Sequence, residues 1–135
     1  MMNPELFGKV DESLGFMLEE DLIKEIATVG QMRRVKLGQT LMHVGDPFTH
    51  MPLMLEGAIK VMREDKEGNE LLLYYLESGD TCAMSLSCCM GNKKSKVHAV
   101  AEEDSVLVMI PVEYLDRWIT KYQSWKAFIF ESIRL

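Results

Sequence analysis

The residues best suited to chemistry lie together in one stretch, Gly79–Ser95, which reads GDTCAMSLSCCMGNKKS. Small residues in its first half can form a helical turn, and lysines flank Ser95 at its end. A helical turn with free backbone N–H groups, faced by lysine and serine side chains, is a suitable cradle for an anion. The alternative is that the stretch only connects two strands and that its lysines are solvated.

The same stretch holds all three cysteines of the chain, Cys82, Cys88 and Cys89. An odd number of cysteines in one loop does not make a disulfide framework, and a vicinal bridge strains the backbone. A thiol beside lysines is favoured as the reactive thiolate, so Cys82 and Cys88 are candidate redox residues. The alternative is that both are small apolar residues filling space under the loop. Because the cysteines lack CxxC spacing, we predict no metal site.

Composition restricts the function classes. The 135 residues suffice for one domain with a real core, and a net charge of −6 argues against nucleic-acid binding by this segment itself. The sequence has no apolar run long enough to cross a bilayer, and its N-terminus lacks the pattern of a secretion signal. We therefore predict a cytoplasmic location. Ser85 and Ser87 lack a convincing His–acid pair in their sequence context, so we predict that the chain is not an enzyme.

The sequence predicts an N-terminal helix and a series of short strands, two of which flank the stretch Gly79–Ser95. Residues Gly15–Val29 have apolar side chains at helical spacing, which predicts a helix closed by Gly30, and Pro4–Phe7 indicates a short turn before it. From Gln31 onward, short strand-like runs alternate with turn residues about every ten positions, which is typical of a β-barrel or sandwich. The apolar run Leu71–Leu76 precedes the stretch, and the alternating run Val97–Ala101 follows it.

The C-terminal part is predicted to be helical. Pro111 is expected to open one helix, and Ser124 is expected to cap a second one. The second helix carries more apolar residues than a helix exposed to solvent usually has. We therefore predict a dimer interface at Trp125, Phe128 and Ile129. For the same reason we expect the chain to be part of a longer protein.

Four segments carry a resemblance to a known family: Leu55–Val61 (LEGAIKV), Lys66–Glu70 (KEGNE), Tyr75–Asp80 (YLESGD) and Ala99–Asp104 (AVAEED). In this order they resemble the N-terminal, cyclic-nucleotide-binding-like sensor domain of the Crp/Fnr superfamily of bacterial transcription regulators. The resemblance implies an α+β fold in residues 1–135: a cupin-like, jelly-roll-type double-stranded β-helix, or β-roll. Within it, residues 1–30 would be a helical segment, 31–110 the β-roll, and 111–135 helices leading into a truncated dimerisation helix.

The resemblance also assigns functional residues. The phosphate-binding cassette of the family falls on the stretch, and its ligand-binding positions are Ala83, Met84, Ser85, Lys94 and Ser95. Met84 stands where nucleotide-binding members use a glutamate for the ribose hydroxyl, and Lys94 stands where they use an arginine for the cyclic phosphate. A thioether cannot replace the carboxylate, and lysine lacks the two-pronged geometry of guanidinium. We therefore expect a cyclic nucleotide or another small anionic effector, with cyclic AMP disfavoured. A small apolar ligand in the same pocket, or no ligand at all, also remains open.

The function implied is effector sensing in a cytoplasmic, homodimeric regulator that binds DNA through a domain missing from this chain. Two alternatives remain open. One is a stand-alone dimerising interaction domain without a small-molecule ligand, and the other is a thiol-based redox sensor.

Overall fold

The computed structural model describes residues 1–81 and 97–132, and it opens with two helices. These are α1, Pro4–Leu14, and α2, Glu20–Val29. The prediction of only a short turn near Pro4 was wrong, because Asn3 caps a full helix by accepting the N–H groups of Glu5 and Leu6 at 3.0 and 3.2 Å. The predicted end of α2 is confirmed, since the Gly30 N–H donates to the Ile26 carbonyl at 2.8 Å.

The described residues then form seven strands: β1 Gln31–Val35, β2 Thr40–Met42, β3 His50–Glu56, β4 Ile59–Glu64, β5 Glu70–Leu76, β6 His98–Ala101 and β7 Ser105–Pro111. They make two antiparallel sheets with the orders β1-β7-β3 and β2-β6-β4-β5. Two helices follow, α3 Glu113–Lys121 and α4 Gln123–Ser132. The predicted α+β class, a β-roll between helices, is confirmed.

The sheet β1-β7-β3 separates two cores, and β7 contributes to both. Val108 and Ile110 pack with the four helices in what we call the helix-side core. Leu107 packs with residues of both sheets in the inter-sheet core, and Met109 lies against it. A strand buried on both faces is a continuous apolar run, as VLVMI is here. Each such side chain contributes about 1.5–3 kcal/mol by leaving water.

The starts of the C-terminal helices differ from the predictions. Pro111 is the last residue of β7, where it pairs with His50, and α3 begins only at Glu113. Ser124 lies inside the first turn of α4 rather than capping it. Its hydroxyl donates to the Glu19 carboxylate at 2.7 Å and accepts the Glu19 backbone N–H at 3.0 Å, so it ties α4 to the start of α2.

The apolar residues of α4 lie within the fold of a single chain. Trp125, Phe128 and Ile129 are at most 3% exposed and belong to the helix-side core. Their apolar character is thus explained without a partner. The dimer interface predicted at these three residues stays a prediction.

Strand β5 exposes apolar side chains although its sequence is strongly apolar. Leu71, Leu72, Leu73 and Tyr75 are 40–51% exposed. Strand β5 pairs only with β4 among the described strands, and neither core includes these four side chains. The polar run Arg63–Asn69 (REDKEGN) predicts a hairpin tip between these strands. The structure confirms it, with Asp65 accepting the backbone N–H groups of Glu67 and Asn69.

The Glu25 carboxylate links α2 to the C-terminal end of α3. It accepts the Tyr122 hydroxyl and lies 3.1 Å from Lys121 Nζ. Burial raises the pKa of Glu25, but these two partners outweigh burial and hold the pKa below its usual value. Hydrogen bonds from the Ser124 hydroxyl and N–H likewise lower the pKa of Glu19. A lowered carboxyl pKa contributes stability above the unfolded-state pKa, and this stability is lost as pH falls through the folded-state pKa.

We therefore expect Glu25→Gln to cost about 1 kcal/mol of unfolding free energy at neutral pH, because it weakens partly exposed charge-assisted contacts. The cost should be smaller at an acidic pH below the folded-state pKa of Glu25, because the wild-type carboxylate is then protonated as well. Urea denaturation of both proteins at the two pH values measures it. Glu20→Gln, at an exposed site on the same helix, is the control. A cost for Glu25→Gln that is the same at both pH values would contradict the assignment.

Candidate functional site

The start of the stretch Gly79–Ser95 is bound to the edge of β3 that faces away from β7. Thr81 forms a bridge with Leu53, and its buried hydroxyl donates to the Pro52 carbonyl at 2.6 Å. The Met54 N–H donates to the Asp80 carbonyl and the Met54 carbonyl accepts the Gly79 N–H, both at 2.9 Å. Residues 79–81 therefore add a short fourth segment to the three-stranded sheet β1-β7-β3, next to β3.

The stretch ends at the other sheet. Val97 is 1% exposed in the inter-sheet core, and His98 begins β6, where it pairs with Met62 of β4. The predicted alternation is confirmed, because Val97, Ala99 and Ala101 are all buried. The two anchors therefore lie on different sheets, and the stretch joins them.

The predicted site residues themselves lie outside the described part of the chain, residues 1–81 and 97–132. This holds for the cassette positions Ala83, Met84, Ser85, Lys94 and Ser95, and for the cysteines Cys82, Cys88 and Cys89. The anion cradle and the redox thiols stay predictions.

A polar cluster lies beside the second anchor. His98 Nδ1 is 3.4 Å from Glu70 Oε1, and the His98 ring stacks on the His43 ring with centroids 6.1 Å apart. His43 Nδ1 is in turn 3.7 Å from Asp46 Oδ2. A cavity of about 310 Å³ borders both histidines, with Met62 and Arg63 among its lining residues. Imidazole, carboxylate and guanidinium groups together offer donors and acceptors for a polar ligand.

Sequence reasoning missed this cluster. The sequence signal that could have found it is the turn at Arg63–Asn69, which pairs Glu70 with Glu64 of β4. Strand β4 also pairs with β6, so Glu70 and His98 lie on either side of β4. Within the described residues, no group of three His, Cys, Asp or Glu side chains is arranged to hold a metal ion.

A larger cleft, of about 400 Å³, lies between the sheets at the β1 edge. Side chains of β1, β2 and β7 and of the segment 46–50 line it, including Arg33, Met109 and Phe48. It has a mixed apolar and polar wall of the kind and size that small-molecule sites have.

Residues 32–122 match the family model of the cyclic nucleotide-binding domain, a range that includes both sheets and both anchors. The chain belongs to this family. The resemblance inferred from the sequence is thereby confirmed, and the relatives agree with it. None of the described helices is long and apolar enough to cross a membrane.

One curated relative is the global nitrogen regulator of Synechococcus elongatus, 27% identical over 88 residues. That alignment takes in 64% of this chain and 39% of the relative, so the chain corresponds to well under half of that protein. Among solved structures, the sensor domain of the transcriptional regulator DNR from Pseudomonas aeruginosa superposes with a TM-score of 0.73 at 16% identity, covering 92% of this chain and 83% of the other. Thermus thermophilus catabolite activator protein gives 0.67 at 22% identity, covering 96% and 52%.

Proposed function

We propose that this chain is the effector-sensing, dimerising domain of a Crp/Fnr-type transcription regulator whose effector is not cyclic AMP. The observation that carries the proposal is the family match over residues 32–122, which includes both anchors of the stretch. The names of the relatives support the regulatory role, and DNA would be bound by a domain outside this chain.

Strand β3 provides a path by which an effector can act. Leu53, on the edge of β3 away from β7, forms a bridge with Thr81 at the start of the stretch. The Leu53 side chain packs in the helix-side core that also contains Trp125 of α4. An effector that reorganises the stretch would shift β3 and thereby reposition α4. In a dimer, such a shift changes the spacing of two DNA-binding domains.

The regulatory role is tested on the full-length protein by sedimentation and by selection of bound sites from a random DNA pool. We expect a dimer that enriches a sequence with two half-sites. A monomer without sequence preference would contradict the proposal. A dimer that ignores DNA would instead favour the stand-alone interaction domain, for which the exposed apolar residues of β5 are the supporting observation.

The nature of the effector is tested by calorimetric titration of the full-length protein with cyclic AMP and cyclic GMP. With Met84 in place of a carboxylate and Lys94 in place of a guanidinium, we expect no saturable heat from cyclic AMP at up to about 1 mM, the limit of weak binding. Saturable binding that Lys94→Ala abolishes would overturn this expectation. Lys66→Ala, in the β4–β5 turn, is the control for a general loss of positive charge.

The thiol-based redox alternative is tested on the same full-length protein by measuring its DNA affinity before and after oxidation. Oxidation with diamide that changes DNA affinity in the wild type, but not in a Cys82→Ser, Cys88→Ser variant, would favour a thiol sensor. If oxidation leaves the DNA affinity of the wild type unchanged, the thiol sensor is contradicted and the small-molecule effector remains the proposal.

A further inference from the structure

The cleft at the β1 edge has its own set of aligned side chains, separate from the stretch. Paired residues of antiparallel strands point to the same face. Arg33 pairs with Leu107 and Gln31 pairs with Met109, so all four share the face that carries the inter-sheet core. Strand β1 is one edge of this sheet, whereas Thr81 is held at the opposite edge, on β3.

Arg33 is the unusual residue of this cleft. It is half-buried, and among the described residues it makes no ion pair and no hydrogen bond through its guanidinium. Its neighbour Arg34 lies on the other face, is exposed, and pairs with Glu5 at 3.3 Å. Withdrawing a cation from water without a partner costs free energy. An anion in the cleft would offset that cost.

The remaining wall is apolar with polar groups at its margin. Leu41, Met42 and Phe48 are each at most 8% exposed and form its apolar part. His50 adds an imidazole whose Nδ1 lies 2.9 Å from the Thr49 hydroxyl. The cleft therefore suits a ligand with an apolar body and an anionic end.

Asp46 limits the charge of that ligand. Asp46 is among the lining residues of the cleft, and its carboxylate accepts the His43 backbone N–H at 2.9 Å and lies beyond ion-pair distance of Arg33. One arginine and one nearby carboxylate, in a chain of net charge −6, disfavour a phosphate dianion or a dicarboxylate. A carboxylate fits the fork of one guanidinium with two parallel hydrogen bonds.

We propose that this cleft is a binding site for a small organic monocarboxylate, with Arg33 holding the carboxylate and the apolar wall holding its body. The site is distinct from the phosphate-binding stretch, and it does not depend on the regulatory role proposed above.

The test is a titration of the ¹⁵N-labelled chain with phenylacetate, followed by amide chemical shifts, with phenylacetamide as the uncharged analogue. We expect saturable shifts in β1 and in residues 46–50 with phenylacetate, and at least about tenfold weaker binding of the amide. Arg33→Gln should weaken phenylacetate binding about tenfold or more, whereas Arg34→Gln should change it less than about twofold.

The proposal would be overturned by a lack of saturable shifts, by equal binding of phenylacetate to Arg33→Gln and wild type, or by equal binding of acid and amide. Binding that is lost in Lys94→Ala but kept in Arg33→Gln would place the ligand at the stretch and would also overturn it. Folding is checked by thermal melting. Because Arg33→Gln removes an unpaired half-buried charge, its midpoint without ligand should equal or exceed that of the wild type.

Discussion

Replacing Trp125 with alanine is expected to lower the free energy of unfolding by about 3–5 kcal/mol, the range for deleting a buried aromatic side chain. Trp125 is fully buried, and its ring meets that of Trp118 edge-on with centroids 5.2 Å apart. Its indole N–H also donates to the Leu115 carbonyl at 3.2 Å. The substitution would remove both contacts and leave a cavity where α3 and α4 pack on the sheet.

Phe130→Ala is the matched control, since it removes an aromatic side chain from the same helix at a position that is 55% exposed. We expect it to change the unfolding free energy by less than about 1 kcal/mol. Urea denaturation of the three proteins, with midpoints and slopes compared, measures the difference. Similar losses from both substitutions would show that α4 is not held by the helix-side core. The coupling of β3 to α4 proposed above would then lack a basis.

Gly57→Ala is expected to cost more than about 3 kcal/mol, because two separate penalties add. Gly57 lies between β3 and β4 with a φ of +91°, which disfavours any residue with a Cβ. That Cβ would also come within 2.6 Å of the Asp104 carbonyl oxygen and 2.8 Å of the Ser105 Cα. Neither backbone atom can move without shifting β7, which is central to its sheet.

Gly68→Ala separates the two penalties. Gly68 has a similar φ of +85°, but a Cβ there would meet no atom within 4 Å. We expect a loss of about 1–2 kcal/mol from the backbone conformation alone. Chemical denaturation of both variants gives the comparison. Equal losses at the two glycines would mean that the turn at Gly57 moves away from Ser105 at little cost.

Local sequence patterns determined much of this fold. Alternation from Val97 to Ala101 predicted β6, and the polar run Arg63–Asn69 predicted the hairpin between β4 and β5. Gly30 marked the end of α2. Each signal depends on residues close together in the chain, whose backbone preferences and side-chain period act before distant segments meet. The resemblance to the family rested on such segments as well, and it gave the order of elements correctly.

The sequence could not determine which surfaces these elements cover. The apolar residues of α4 predicted a contact with a second copy, but within this chain they pack on its own core. The apolar run of β5 is typical of a buried strand, yet Leu71, Leu72, Leu73 and Tyr75 belong to neither core and are 40–51% exposed. Burial depends on what packs against an element, and that partner is distant in sequence.

The candidate sites divide in the same way. The stretch Gly79–Ser95 could be selected from residue types alone, whereas Arg33 could not be distinguished from Arg34 beside it. The pairing of β1 with β7, the first strand with the last, decides that Arg33 faces the cleft and Arg34 faces Glu5. Shifting that register by one residue would exchange the two arginines. Sequence determined which chemical groups were present, and only long-range strand pairing decided which of them lies half-buried without a partner among the described residues.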